Sequence, residues 1–255
     1  MQRHETLTFE EFSEHWRVAH PPLFLKTQAV KENILKYEQL HVNQEWKQRL
    51  LEAGMKVPDY DGIVVVEAET LEKALSAFSG PEYIENVLPD SMMFCNLATV
   101  VYRAFQVTTF FDKSPDTTPD SQIGVIRKDV ESLLVNVHTK DGSPESARYW
   151  REVHMPKIIS LMESTGVGAS LTKCEQLTVD PDIGSGTLAV PITPTTWDGA
   201  SVIEAPGIGQ ILEAYKDQSI IDFAVGDAPN FVDVTKPSEY LPCNVVTFRV
   251  GNSRS

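Results

Sequence analysis

Basic residues are the first thing this chain is short of. Among 255 residues there are 22 Lys and Arg against 36 Asp and Glu, a formal net charge of −14. A phosphate backbone selects for basic surfaces, so nucleic acid is excluded as a partner. An anionic membrane surface is excluded for the same reason. Cysteine is scarce as well. Cys95, Cys174 and Cys243 form no CxxC pair and no even set, which argues against a disulfide framework or a zinc site and for a reducing compartment. No apolar run approaches the ~20 residues of a spanning helix. Residues 1–12 lack the apolar core of a secretion signal. The composition therefore predicts a soluble, cytoplasmic globule. No HxH pair or His/carboxylate cluster with ligand spacing stands out, so no metal is expected.

What the chain does have is an internal repeat. His15-Trp16-Arg17-Val18-Ala19-His20-Pro21-Pro22 returns as Tyr149-Trp150-Arg151-Glu152-Val153-His154-Met155-Pro156, with His20 and His154 separated by 134 positions. A second set recurs 137 positions on: Glu38-Gln39-Leu40 as Glu175-Gln176-Leu177, Tyr60-Asp61-Gly62 as Trp197-Asp198-Gly199, Asp90 as Asp227 and Phe94 as Phe231. A steady offset with matching residue types predicts a duplication: a first half over residues 1–111, a linker over 112–122 and a second half over 123–255.

Each half reads as the same order of elements. Thr8-Phe9-Glu10-Glu11 is a capping box. The helix it opens carries Phe12, Trp16 and His20 on roughly one face, and Pro21-Pro22 kinks or ends it at His20. Residues 34–42 alternate, with Leu40 and Val42 facing one way and Tyr37, Gln39 and His41 the other. A helical insert over 43–59, a strand over 60–67, a helix over 71–78, a partly helical stretch over 82–94 and a long strand over 99–111 follow. The second half starts with a strand over 132–138. Ser143 then caps a helix with Pro144 at its first position. A Gly/Pro/Thr loop over 181–196 replaces the insert, and a last strand spans 244–250. The first seven residues look too short and polar for a matching first strand. Each unit is thus a ferredoxin-like β-α-β-β-α-β arrangement. The fold class is α+β, two tandem units packed sheet to sheet as an intramolecular dimeric α/β barrel.

The pattern Phe-Ser-Glu-His-Trp-x-x-x-His-x-Pro-Leu, then Tyr-Asp-Gly, then Pro-Asp-x-x-x-Phe resembles the EthD-domain branch of the dimeric α/β-barrel superfamily, and looks closest to fungal polyketide-tailoring members. The resemblance covers residues 7–105 and, more faintly, 134–250. It implies that the duplication supplies both barrel halves, with further homodimer pairing left open. It also implies a reaction among dehydration, cyclisation, isomerisation and cofactor-free oxygenation, which fold alone does not choose between.

Leu40 and Val42 are expected under the helices, which would turn Tyr37, Gln39 and His41 into the barrel cavity. His20 is then the general base, since imidazole titrates near neutrality, and Asp90 orients it. His41 is an alternative base or an acid, and Tyr37 an oxyanion donor. Gln39, Trp16, Tyr60, Arg103 and His154 are the candidate substrate contacts. Each also has a plainer account: a structural His–Asp bond for His20 and Asp90, a rim ion pair for Arg103, core packing for Trp16. The reading reached is a cofactor-free lyase, a dehydratase or cyclase acting on an aromatic or polyketide-derived small molecule. The alternatives are a cofactor-free monooxygenase of an anthrone-like phenol and a non-catalytic binding domain.

Overall fold

A computed structural model describes residues 1–114, 120–140, 142–179, 193–194 and 197–250. Residues 115–119 of the expected linker and most of the 181–196 loop lie outside the described residues. The strands are β1 (Gln2–Arg3), β2 (Ile34–Val42), β3 (Gly62–Ala68), β4 (Cys95–Asn96), β5 (Val101–Tyr102), β6 (Gln106–Asp112), β7 (Ile126–Val137), β8 (Lys173–Thr178), β9 (Thr193–Pro194), β10 (Gly199–Ala205) and β11 (Glu239–Phe248). Seven of them form one sheet in the order β3-β2-β11-β7-β10-β8-β6, antiparallel throughout. The result is a mixed α/β fold around a strongly curled half-barrel. β1 pairs with β4, and β5 with β9, in two short ribbons.

Side chains alternate across a strand, and here both faces are buried. On the helix side, Leu133, Val135, Ile203 and Ala205 pack against Ile158, Met162, Ile208, Ile211 and Ile220. The opposite face carries Leu40, Val42, Val130, Leu134, Val202, Leu241, Cys243 and Val245, joined by Tyr60, Ile63, Val65 and Leu177 and, among the described residues, by no helix residue. Each such side chain contributes about 1.5–3 kcal/mol by leaving water. The hollow of the curl is therefore lined with aliphatic side chains.

The face assignment of β2 is reversed from the sequence expectation. Leu40 and Val42 point into the curl, and Tyr37, Gln39 and His41 lie beneath the first helix, each 1% exposed or less. The alternation separated the two faces correctly. It could not say which one the helix covers, because that helix brings its own polar partners for the polar face.

Two further elements differ. The long strand expected over 99–111 is broken into β5 and β6, and β6 leaves to pair with β8. The first residues, expected to form no strand, do form β1, and the Met1 carbonyl accepts the Asp61 and Gly62 amides at 3.0 and 3.4 Å. Asp61 Oδ2 accepts the Arg3 amide at 2.9 Å, as Asp198 Oδ2 accepts that of Thr139 at 3.0 Å.

Both Asp-Gly steps also seat a tryptophan. A Cβ at Gly62 would overlap the Trp16 ring, and one at Gly199 would stand 2.6 Å from the Trp150 ring. Gly62→Ala is expected to lower stability by about 1–3 kcal/mol or more through overpacking, read as a change in the urea midpoint at unchanged slope. No helix among the described residues is long and apolar enough to cross a membrane.

Candidate functional site

Thr8 caps the first helix as its sequence predicts. Its hydroxyl accepts the Glu11 amide at 3.2 Å, and the Glu11 carboxylate accepts the Thr8 amide at 2.9 Å. The helix Phe9–Glu14 then widens into a π-helical turn over His15–Ala19 and continues as His20–Lys26. Pro21 explains the widening. A proline lacks the amide hydrogen and its ring crowds the carbonyl four residues back. Here the last amide before it, that of His20, bonds the His15 carbonyl five residues back instead. The expected kink at His20 is thus taken up without ending the helix. The same device precedes Pro89, where the Leu88 amide bonds the Tyr83 carbonyl, and Pro156, where Met155 bonds Trp150.

The widened turn has a consequence for side chains. On a regular helix, residues five apart point about 140° away from each other. Here His15 and His20 meet one carboxylate. His15 Nε2 lies 2.9 Å from Asp90 Oδ1 and His20 Nδ1 2.8 Å from Asp90 Oδ2. Asp90 sits in the first turn of the helix Leu88–Phe94, behind its own π turn. Phe94 packs beside both imidazoles, with ring centroids 5.2 and 5.0 Å away. Burial would raise the Asp90 pKa, but the hydrogen bonds from His20 and His15 outweigh it and hold the carboxyl below its usual range. An ionised carboxylate only accepts, so His20 carries its proton on Nδ1. His20 Nε2 meets no hydrogen-bond partner among the described residues.

A related cluster recurs in the second half. The Tyr149 hydroxyl donates to Asp227 Oδ1 at 2.7 Å, and His154 Nδ1 lies 2.8 Å from Oδ2. Burial lowers the His154 pKa, against the pull of Asp227. Asp227 is lowered in turn, burial being outweighed by the bonds from Tyr149 and His154. His154 therefore belongs to this second cluster, apart from His20.

Tyr37, Gln39 and His41 are held together, but not around a cavity. Gln39 Nε2 donates to the Trp16 carbonyl at 2.7 Å and to the Tyr37 hydroxyl at 2.9 Å. Its Oε1 faces His41 Nε2 at 3.0 Å, and His41 Nδ1 faces the Ser13 hydroxyl at 2.8 Å. The Trp16 ring lies 4.5 Å from the His41 ring. Burial, then the Arg17 charge, pushes His41 down to about 3, and burial pushes the Tyr37 hydroxyl up. The cavity placement of Tyr37, Gln39 and His41 is corrected: their polar atoms are spent on one another and on the helix above. Trp16 is the roof over them.

Tyr60 stands edge-on to Trp197, its counterpart in the repeat, with centroids 5.9 Å apart. Arg103 lies half-buried on the segment between β5 and β6. Neither joins the His15–Asp90–His20 cluster. An open groove of about 480 Å³ runs over Phe9, Ser13, Glu14, Arg17, Val125 and Ile126. Sequence reasoning missed Ser13 and Arg17, and missed His15 as the second partner of Asp90. A histidine pair five apart, just before a proline, was the available signal for the last. No group of three or more His, Cys, Asp or Glu among the described residues is placed to hold a metal ion.

The EthD domain family matches residues 4–98. No curated protein matches the sequence at a comparable level. Among solved structures, a candidate monooxygenase from Fusobacterium nucleatum is similar at a TM-score of 0.53 and 9% identity, over 97% of this chain and 90% of that one. A candidate monooxygenase from Lactobacillus acidophilus NCFM is similar at a TM-score of 0.50 and 11% identity, over 95% and 92%. These likenesses correct the lyase expectation, since the structures that share the fold along nearly the whole chain are named for oxygenation and neither for dehydration or cyclisation.

Proposed function

We propose that this protein is a cofactor-free monooxygenase of an anthrone-like aromatic phenol, with His20 as the general base. The observation that carries the reading is the imidazole pair held on one ionised carboxylate, with His20 Nε2 left without a hydrogen-bond partner among the described residues. The names of the two structural neighbours agree with it.

The chemistry needs little from the protein. His20 takes the proton that activates the substrate, and Asp90 stabilises the imidazolium and fixes its tautomer. The substrate anion, now electron-rich, is oxidised by dioxygen at the ring methylene. One oxygen atom enters the carbon as a new carbonyl, and the other leaves as water with one methylene hydrogen and the proton that His20 took from the methylene group and now returns. The substrate is oxidised and dioxygen reduced, with no electrons left over. His15 holds the second carboxylate oxygen and keeps Asp90 from turning.

The same reading takes the chain as a tandem duplication, with halves 1–111 and 123–255 joined by 112–122 as the two walls of one dimeric-type barrel. Several observations support it beyond the sequence repeat. Trp16 over Gly62 is matched by Trp150 over Gly199. Lys36 with Glu38 and Glu67 (2.9 and 3.3 Å) is matched by Lys173 with Glu175 and Glu204 (2.9 and 3.7 Å). The order β11-β7-β10-β8 is that of a ferredoxin-like unit.

An oxygen electrode tests the function. With an anthrone present, dioxygen consumption matched mole for mole by quinone formation is expected. Turnover of the anthrone without oxygen uptake would overturn it.

A further inference from the structure

Gln176 is completely buried, and neither its Oε1 nor its Nε2 meets a hydrogen-bond partner among the described residues. A buried amide left in that condition destabilises the fold, and nearly all such groups in proteins find a partner in protein, water or ligand. Its counterpart in the first half shows what is missing. Gln39 is fully engaged by the Trp16 carbonyl, the Tyr37 hydroxyl and His41. In the second half, Cys174 stands for Tyr37, Thr178 for His41 and Ala147 for Ser13. The side-chain partners of the amide are gone, and so are the atoms of two rings.

The surroundings are otherwise kept. Trp150 lies over Gly199 as Trp16 lies over Gly62. Trp150 stacks on Phe231, with centroids 5.7 Å apart and planes at 16°. Cys174 packs in the same apolar cluster with Phe111 at its edge. Ser201 stands opposite Gln176 on β10. Flat apolar walls with one donor–acceptor pair are the usual make-up of a small-molecule site.

We infer that the second half holds a ligand-binding site anchored by Gln176, separate from the His15–Asp90–His20 cluster. Its ligand is a planar hydroxy-ketone whose carbonyl accepts from Gln176 Nε2 and whose neighbouring hydroxyl donates to Oε1. The amide offers a donor and an acceptor side by side, and that edge is its complement. The site rests on the geometry of this chain, and only the choice of an aromatic hydroxy-ketone rests on the proposed function.

Titration of the whole protein with a dihydroxyanthraquinone, followed by calorimetry, tests the inference without turnover. Binding is expected for the wild type. Gln176→Leu should weaken it by about tenfold or more, while folding at least as stably as the wild type without ligand, since it removes an unmet amide. Cys174→Tyr restores the first-half residue and should block binding. No binding, equal binding by Gln176→Leu, or marked destabilisation by Gln176→Leu would each overturn the inference, the first leaving at most water beside the amide. Binding that depends on Gln176 in a protein that consumes no oxygen would keep the site and remove the proposed function.

Discussion

Replacing His20 with alanine should lower oxygen consumption with an anthrone by about 10²–10⁴-fold, the usual worth of a general base. The fall should lie in kcat, with KM little changed, because the imidazole acts on the proton in flight. Asp90→Asn should also slow turnover, since an amide can hold the ring but cannot balance an imidazolium. His15→Ala should cost less, because it removes a brace on Asp90 and leaves the His20–Asp90 bond in place. An equal loss for all three variants would say the trio is a structural clamp between two helices. Circular dichroism and urea titration of each variant separate a lost base from a lost fold.

Acid should unfold this protein through His41. Burial and the Arg17 charge put its folded pKa at about 3, against a value near 6.5 in the unfolded chain. Between those values the unfolded state binds a proton that the folded state refuses. Stability is therefore complete above about pH 6.5 and falls as the pH drops toward 3. Each pH step of one across that window removes about 1.4 kcal/mol, so at pH 4 this one group has cost about 3 kcal/mol. Asp90 and Asp227, whose pKa values are also depressed, lose their contributions at lower pH still, as each carboxylate protonates in the folded state. His41→Asn keeps an acceptor toward Ser13 and removes the titrating group. Urea titrations from pH 7 to 4 should show the wild-type stability falling by about 3 kcal/mol more than that of the variant. Parallel curves would mean that His41 is not held neutral by its surroundings.

Much of this could be read from the sequence, for reasons that differ from residue to residue. The capping box at Thr8 and the pairing of His20 with Asp90 were legible because local chemistry and the repeat each mark them. The alternation of β2 was legible too, but its direction was not. Polar residues on a strand ordinarily point to water or a cavity, and Tyr37, Gln39 and His41 point instead at a helix that answers them with Ser13 and the Trp16 carbonyl. That answer depends on tertiary contact. The break between β5 and β6 is of the same kind, because it follows from β6 crossing to β8. The sequence left the reaction class open between a lyase and, as the alternative, an oxygenase. A base that starts an elimination also starts an oxygenation, and His20 with Asp90 suits both. The open valences of Gln176 could emerge only once Cys174 and Thr178 were seen beside it in place of Tyr37 and His41.

Conversion of an anthrone under isotopically heavy dioxygen, followed by mass spectrometry of the product, tests the central claim most directly. The account predicts one heavy oxygen atom in the new carbonyl, with incorporation that disappears in His20→Ala. A product that has shed water and carries no heavy oxygen, or label incorporation that His20→Ala leaves untouched, would contradict it.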